Sequence, residues 1–363
     1  MRTEPLAPAP GRTGQRAGDT ETTLAIDVGA TRTRLAIVRD GAIAARVTSP
    51  TAALVGPDGW VTSALAAAAL DLAREAGGHP VQAIGIGLAA FVAETGSVLQ
   101  PRAFGIPGGT AVRDALADAF GVPVSLDNDA NLAALAEARL GVAVGRGTVA
   151  VITLGTNIGL GLLIDGRIHR GAHGAAGEAG LLLVPAQDVA GGAGGRRVVD
   201  AGSLGRATSE APSGYAHIEE LVGGGALAAA GTNDRTGGGA PAGAPTTPYR
   251  VLTRGAHGGP LSESLAERAV EGWALLMADL CMLLDPELVV LTGGLAQDAD
   301  YLLEPLRRRV AELAPLPAEI RLGSVGPDAE LLGADLVARS ALVPRAVGHA
   351  RAGLSAQSRG GDR

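Results

Sequence analysis

Three carboxylates sit where the surrounding residues are small, capped or strand-ending, and each has a chemistry open to it. Asp129 closes the triplet Asp127-Asn128-Asp129 just ahead of a helical pattern over residues 130–140. There it either caps the helix, satisfying its first free N–H groups, or acts as a general base that takes the proton of an attacking hydroxyl. Asp27 ends a short apolar run and enters Val28-Gly29-Ala30-Thr31. It is either a turn former or, beside a polyphosphate, a carboxylate that holds Mg²⁺ through water. Glu178 follows Gly174-Ala175-Ala176-Gly177. Small side chains let backbone and carboxylate approach a ligand, whereas an isolated Glu is a solvated surface residue. His173, in the same stretch, reads as structural with at most a minor role.

Strands and turns must position these groups. The pattern predicts a strand over 23–28, a β-like run over 34–38, a hairpin turn at Arg39-Asp40-Gly41 and a third strand over 42–47. The same plan recurs in the second half. A strand over 148–154 leads into the turn Gly155-Thr156-Asn157-Ile158-Gly159, a strand over 160–164, the turn Asp165-Gly166 and a strand over 167–170. The chain therefore reads as an internal duplication with a glycine-bearing strand-turn-strand in each half. Two such tips facing each other across a cleft offer backbone N–H groups to a polyphosphate from both sides. A further strand over 288–292 runs into Gly293-Gly294, a third loop suited to close backbone approach.

Helical periodicity covers residues 59–76, 111–120 and 262–284, and 81–88 reads as a buried strand. Residues 1–21 read as a leader without an apolar h-region, 223–248 as a Gly/Ala/Pro/Thr-rich mobile insertion, and 345–363 as a frayed tail.

Composition removes several function classes. At 363 residues the chain has room for roughly two domains. Its 30 basic residues are all arginine, since the sequence contains no lysine. Walker-type P-loop, protein-kinase and Schiff-base mechanisms, which need a Lys, are thereby excluded. A net charge of −7 and 2% aromatic residues speak against nucleic acid, which requires clustered cations and stacking platforms. The longest apolar run, 64–70, is far too short to span a bilayer. The single Cys281 allows no internal disulfide and points to a reducing, cytoplasmic setting.

Six stretches together resemble the ROK group of repressors, open reading frames and sugar kinases, within the actin-like ATPase superfamily. They are Asp27-x-Gly29-x-Thr31-x-x-Arg34, the stretch 83–87, Asp127-Asn128-Asp129-Ala130-Asn131, the stretch 154–159, the stretch 171–178 ending in Glu178, and Leu291-Thr292-Gly293-Gly294. They occur in family order and span most of residues 22–340. The resemblance implies an α/β chain with two actin-like (ribonuclease H-like) domains and an interdomain cleft. Residues 22–126, completed by a C-terminal helix at 330–344, would form the small domain and 127–329 the large one. It further implies Mg-ATP as donor and Asp129 as the catalytic base. Asn128 and Glu178 would bind substrate, Glu178 by gripping vicinal hydroxyls. Asp27, Gly29, Thr31, Arg34, Gly155, Thr156, Asn157, Gly293 and Gly294 would surround the phosphates, with Mg²⁺ on Asp27 through water. A homodimer is the expected assembly.

Two departures qualify that picture. Relatives usually read Glu-x-Gly-His, whereas here Glu178-Ala179-Gly180 is followed by Leu181, which would take the histidine's place against the substrate. The Cys-rich zinc loop is replaced by the cysteine-free stretch 190–197, so no zinc is expected. Because those features shape the anomeric end of a hexose site, the sequence favours a primary hydroxyl on a C7-cyclitol of the valiolone type, as in aminocyclitol biosynthesis. Glucose or another hexose is the alternative. A non-catalytic sugar sensor is a third reading, but only 22 residues precede the first expected strand, too few for the helix-turn-helix of the repressor branch.

Overall fold

The computed structural model describes residues 21–29, 31–56, 59–60, 62–93, 95–101, 108–185, 215–227, 260–297 and 300–342. Residues 1–20 of the expected leader, the tail at 345–363, the stretch 190–197 and residues 228–248 of the expected insertion lie outside them.

Two five-stranded sheets share one strand order. In the first half, β1 (Thr22–Val28), β2 (Arg32–Arg39) and β3 (Ala42–Pro50) form an antiparallel meander. Beyond α1 (Thr62–Glu75), β4 (Ala83–Leu88) lies parallel to β1. After α2 (Ala111–Phe120), β5 (Val124–Asn128) lies parallel to β4, giving the order β3-β2-β1-β4-β5. Helix α3 (Asp129–Leu140) follows at once. The second half repeats the plan with β6 (Val149–Leu154), β7 (Ile158–Ile164) and β8 (Arg167–Ile168). A short α4 (Ile218–Val222) and the long α5 (Pro260–Leu284) precede β9 (Leu288–Thr292). Then α6 (Leu303–Leu313) leads to β10 (Glu319–Leu322), for the order β8-β7-β6-β9-β10. Helix α7 (Ala329–Ser340) returns to the first sheet and lies against β1, β4 and β5.

The duplication extends to the turns. Asp40 and Gly41 adopt φ of 48° and 86°, and Asp165 and Gly166 adopt 53° and 68°. Two successive positive φ angles make the hairpin turn that matches strand twist, and Asp-Gly is the pair that tolerates it.

Both faces of each sheet are covered, so the central strands are apolar throughout instead of alternating. On the first sheet, Leu24, Ile26, Ile84 and Ile86 meet Leu65 and Ala69 of α1 and Leu116 of α2. Its other face, Ala25 and Ala36, meets Leu132 of α3 and Leu331 and Ala334 of α7. On the second sheet, Ile152 and Leu154 pack with Leu265, Trp273 and Leu276 of α5, while Val149, Val151 and Val290 meet Ala134 and Ala138 of α3. Helix α3 is thus shared by both halves. Its small residues allow backbone contact on two sides: a Cβ on Gly161 of β7 would lie 2.4 Å from the Ala130 carbonyl, and one on Gly333 of α7 2.0 Å from that of Leu132. Cutting the fully buried Leu132 back to Ala would cost about 2–5 kcal/mol.

The structure departs from the sequence expectations in four places, the first being that Gly59–Trp60 pairs with Val55–Gly56 as a short strand, so the helix expected over 59–76 begins at Thr62. Residues 124–128 form a strand, so the expected domain break at 126/127 runs through β5. The short β10, with only Ile320 buried, gave no run to detect. Residues 223–227, expected in a mobile insertion, are packed: Gly223, Gly224, Ala226 and Leu227 are buried. No helix among the described residues is long and apolar enough to cross a membrane.

Candidate active site

Parallel pairing brings strand ends into line. Val28, Leu88 and Asn128 are register partners at the C-terminal ends of β1, β4 and β5, and Thr153 pairs with Thr292 across β6 and β9. Ligands of open α/β sheets bind outside these carboxyl ends. A cleft of about 540 Å³ opens there. It is lined by Asp27, Gly29, Thr31, Arg34, Asn128, Asp129, Gly155, Thr156, Asn157, Glu178, Gly293 and Gly294. Of the residues assigned to the site from sequence, Leu181 is not in the lining. It lies half-buried in the single turn after Glu178, where its carbonyl accepts a bond from Nδ1 of the buried His217 at 2.8 Å. His173 is exposed and also outside the lining.

Asp129 is not the helix cap. That task falls to Asn128, whose Oδ1 accepts the N–H groups of Ala130 at 2.9 Å and Asn131 at 3.2 Å. Its Nδ2 donates to the Ala90 carbonyl at 3.2 Å. Asn128 therefore builds the junction as well as lining the cleft. Asp129, the first helical residue, is half-buried at the positive end of α3, where a carboxylate is stabilised in its charged form. Gly87 keeps the floor beneath it open: a Cβ there would lie 2.9 Å from Leu132 Cδ1 and 3.6 Å from Asp129 Cα.

Asp27 is 6% exposed at the level of Gly87 and Asp127 in the sheet. Its Oδ2 accepts from Arg34 Nε at 2.9 Å, and Arg34 also pairs with Glu330 at 2.8 Å and donates to the Pro327 carbonyl. Burial pushes the Asp27 carboxyl up to about 7; Arg34 opposes this, and the Glu330 and Asp129 carboxylates add to it. Three carboxylates against one guanidinium leave a local excess of negative charge that a divalent cation would relieve. Asp27 Oδ1 has no hydrogen-bond partner among the described residues. The donor set thus suits a magnesium ion held by one carboxylate, water and phosphate oxygens, and not a closed protein cage. No group of three or more His, Cys, Asp or Glu placed to hold a metal occurs among the described residues.

The opposite wall is the β6–β7 turn, braced by residues that sequence reading assigned to the insertion. The N–H groups of Gly224 and Gly225 donate to the carbonyls of Gly155 at 3.0 Å and Thr156 at 2.9 Å. Those carbonyls, which would repel phosphate, are thereby engaged. A Cβ on Gly224 would lie 2.2 Å from the Gly155 oxygen, so no other residue fits without displacing the turn. Arg32 and Glu330 also line the cleft and were missed, because an isolated charge carries no sequence signal until the fold places it. Glu178 reaches the cleft from a loop held close by Gly177, whose φ is +91° and whose added Cβ would lie 2.1 Å from the Leu160 carbonyl.

Two α/β halves of one strand order, meeting at a cleft of strand-end carboxylates and glycine turns, define the actin-like (ribonuclease H-like) fold. Residues 23–340 match the ROK family, and the chain belongs to it. It is 31% identical over 329 residues to the bifunctional enzyme NanE/NanK of Brucella melitensis, a match covering 87% of this chain and 54% of that protein. The chain thus spans about half the length of that relative. It superposes on the ROK hexokinase from Thermus thermophilus with a TM-score of 0.62 and 31% identity, covering 88% of this chain and 99% of that one. A ROK family glucokinase from Streptomyces griseus, solved with glucose and AMPPNP, gives a TM-score of 0.69 at 25% identity over the same shares.

Proposed function

We propose that this protein is an ATP-dependent kinase of the primary hydroxyl of a hexose-like sugar. The observation that carries the reading is Asp129: it stands in the cleft at the head of α3, relieved of capping by Asn128, with Glu178 and the phosphate turns in the same lining. The sugar is gripped through its hydroxyls by Glu178 and aligned so that its primary hydroxyl meets Asp129. The hydroxyl oxygen attacks the γ-phosphorus of ATP, and the bond from γ-phosphorus to the β–γ bridging oxygen breaks. The hydroxyl proton passes to an Asp129 carboxylate oxygen, and the products are a sugar phosphate and ADP. Positioning and charge stabilisation supply most of the acceleration in such transfers. Asp27 would hold Mg²⁺ through water, and the ion would neutralise charge on the β- and γ-phosphates. The turns at Gly29–Thr31 and Gly155–Asn157, with Gly293 and Gly294, would carry the rest of the donor.

The acceptor is better read as a hexose than as a C7-cyclitol. The cyclitol expectation rested on the loss of the histidine and the Cys-rich loop at the anomeric end, and Leu181, which stands in the histidine's place, does not line the cleft. The relatives' names, hexokinase and glucokinase, support the same choice. ADP release with glucose, mannose, N-acetylmannosamine, fructose and a C7-cyclitol tests it. A hexose should be the best acceptor, and a cyclitol preferred tenfold or more over every hexose would reverse the assignment.

A further inference from the structure

Asp127 is the buried charge of this site that phosphoryl transfer leaves unused. It is 2% exposed and stands on β5 two residues before Asp129. Its Oδ1 accepts the backbone N–H of Asn128 at 2.8 Å and Nδ2 of Asn131 at 2.9 Å. Its Oδ2 accepts Nε of Arg170 at 3.1 Å and also Nη2 of the same guanidinium. Arg170 belongs to the other half of the molecule, two residues past β8. It also opens the segment that ends at Glu178, and its carbonyl accepts the Ala176 N–H at 3.1 Å. One guanidinium therefore ties the strand–helix junction presenting Asp129 to the loop presenting Glu178. Without it, a carboxylate buried to this degree is uncompensated, and the junction must rearrange to hydrate or neutralise it.

We propose that Arg170 is a positioning residue that, through Asp127, holds the hydroxyl-gripping loop and the general base in one mutual geometry. This deepens the kinase reading and rests on it for its kinetic consequences. Asp129 must meet the primary hydroxyl while Glu178 holds hydroxyls elsewhere on the same sugar, so the distance between the two carboxylates is set by whatever joins their supports. A displacement of about 1 Å at a reacting group can cost on the order of 10²-fold in rate.

Hydrogen exchange on the full chain tests the link without requiring turnover, so it fails separately from the kinase reading. In Arg170→Ala, amides in both 129–133 and 171–178 should exchange faster than in the wild type, while those of the donor turn 155–159 stay unchanged. Acceleration confined to residues beside 170, or spread evenly over the chain, would overturn the proposal. Kinetics with the hexose that the wild type phosphorylates best then separate positioning from plain destabilisation. The variant should lose about 10²-fold in kcat/KM for the sugar, shared between KM and kcat, while KM for ATP moves less than about threefold. Millimolar guanidinium should restore part of the activity by refilling the Asp127 partner site. A uniform loss with a matching rise in KM for ATP and no rescue would mean that Arg170 only stabilises the fold.

Discussion

Replacing Asp129 by Asn removes the carboxylate proposed as the general base and leaves the helix cap in place. Asn128 supplies the cap, so α3 keeps both bonds at its N-terminus. The Asp129 Oδ1 bond to the Ala130 N–H, 2.8 Å long, can be made by an Asn oxygen as well. At the helix N-terminus the loss of one negative charge costs about 0.3–1 kcal/mol. Loss of a general base costs about 10²–10⁴ in rate. The lower bound already corresponds to about 2.7 kcal/mol of barrier, so catalysis falls much more than stability. Coupled ADP release should give kcat reduced by at least about 10²-fold with the thermal midpoint nearly unchanged. Nucleotide titration should give Mg-ATP affinity within about threefold of wild type, since only the repulsion between Asp129 and the donor is lost. Turnover within a few-fold of wild type would refute the base assignment, and a collapsed midpoint would show that Asp129 is structural.

Three other outcomes follow from the geometry. Glu178→Gln should raise KM for the sugar by roughly 10- to 150-fold, the range for losing hydrogen bonds to a charged group, with KM for ATP unmoved; initial-rate kinetics varying each substrate separates the two. Gly224→Ala drives a Cβ into the Gly155 carbonyl 2.2 Å away, so overpacking should cost about 1–3 kcal/mol and weaken nucleotide binding, read as a smaller thermal shift on adding Mg-ATP. Metal analysis of purified protein should find no stoichiometric zinc, because the one cysteine, Cys281, is buried in the α5 core and no other Cys is available; one tightly bound zinc per chain would contradict this.

The halves were legible because each repeats the same cues: an apolar strand, a glycine turn, a second strand and an Asp-Gly hairpin. The motifs marked Asp27, Asp129, Glu178 and the glycine turns, all of which line the same cleft. What escaped detection depends on tertiary placement. Gly223-Gly224-Gly225 has the composition of a linker, and only the contact with Gly155 and Thr156 shows that these glycines brace a turn. Asp127 stood out only as a neighbour of Asp129 in the triplet ahead of the helix, and its pairing with Arg170, distant in sequence, has no local trace. Leu181 was placed in the pocket because it stands where relatives carry a histidine, yet the chain has turned before reaching it, and its carbonyl serves His217 instead.

The most direct test of the account is to incubate the purified chain with Mg-ATP and each hexose of the panel and to follow the products by ³¹P NMR. Stoichiometric ADP and a new monoester signal coupled to the protons of the sugar's primary carbon are the predicted result. A phosphate placed on a ring or anomeric hydroxyl, or ATP left unconsumed with every hexose offered, would contradict it.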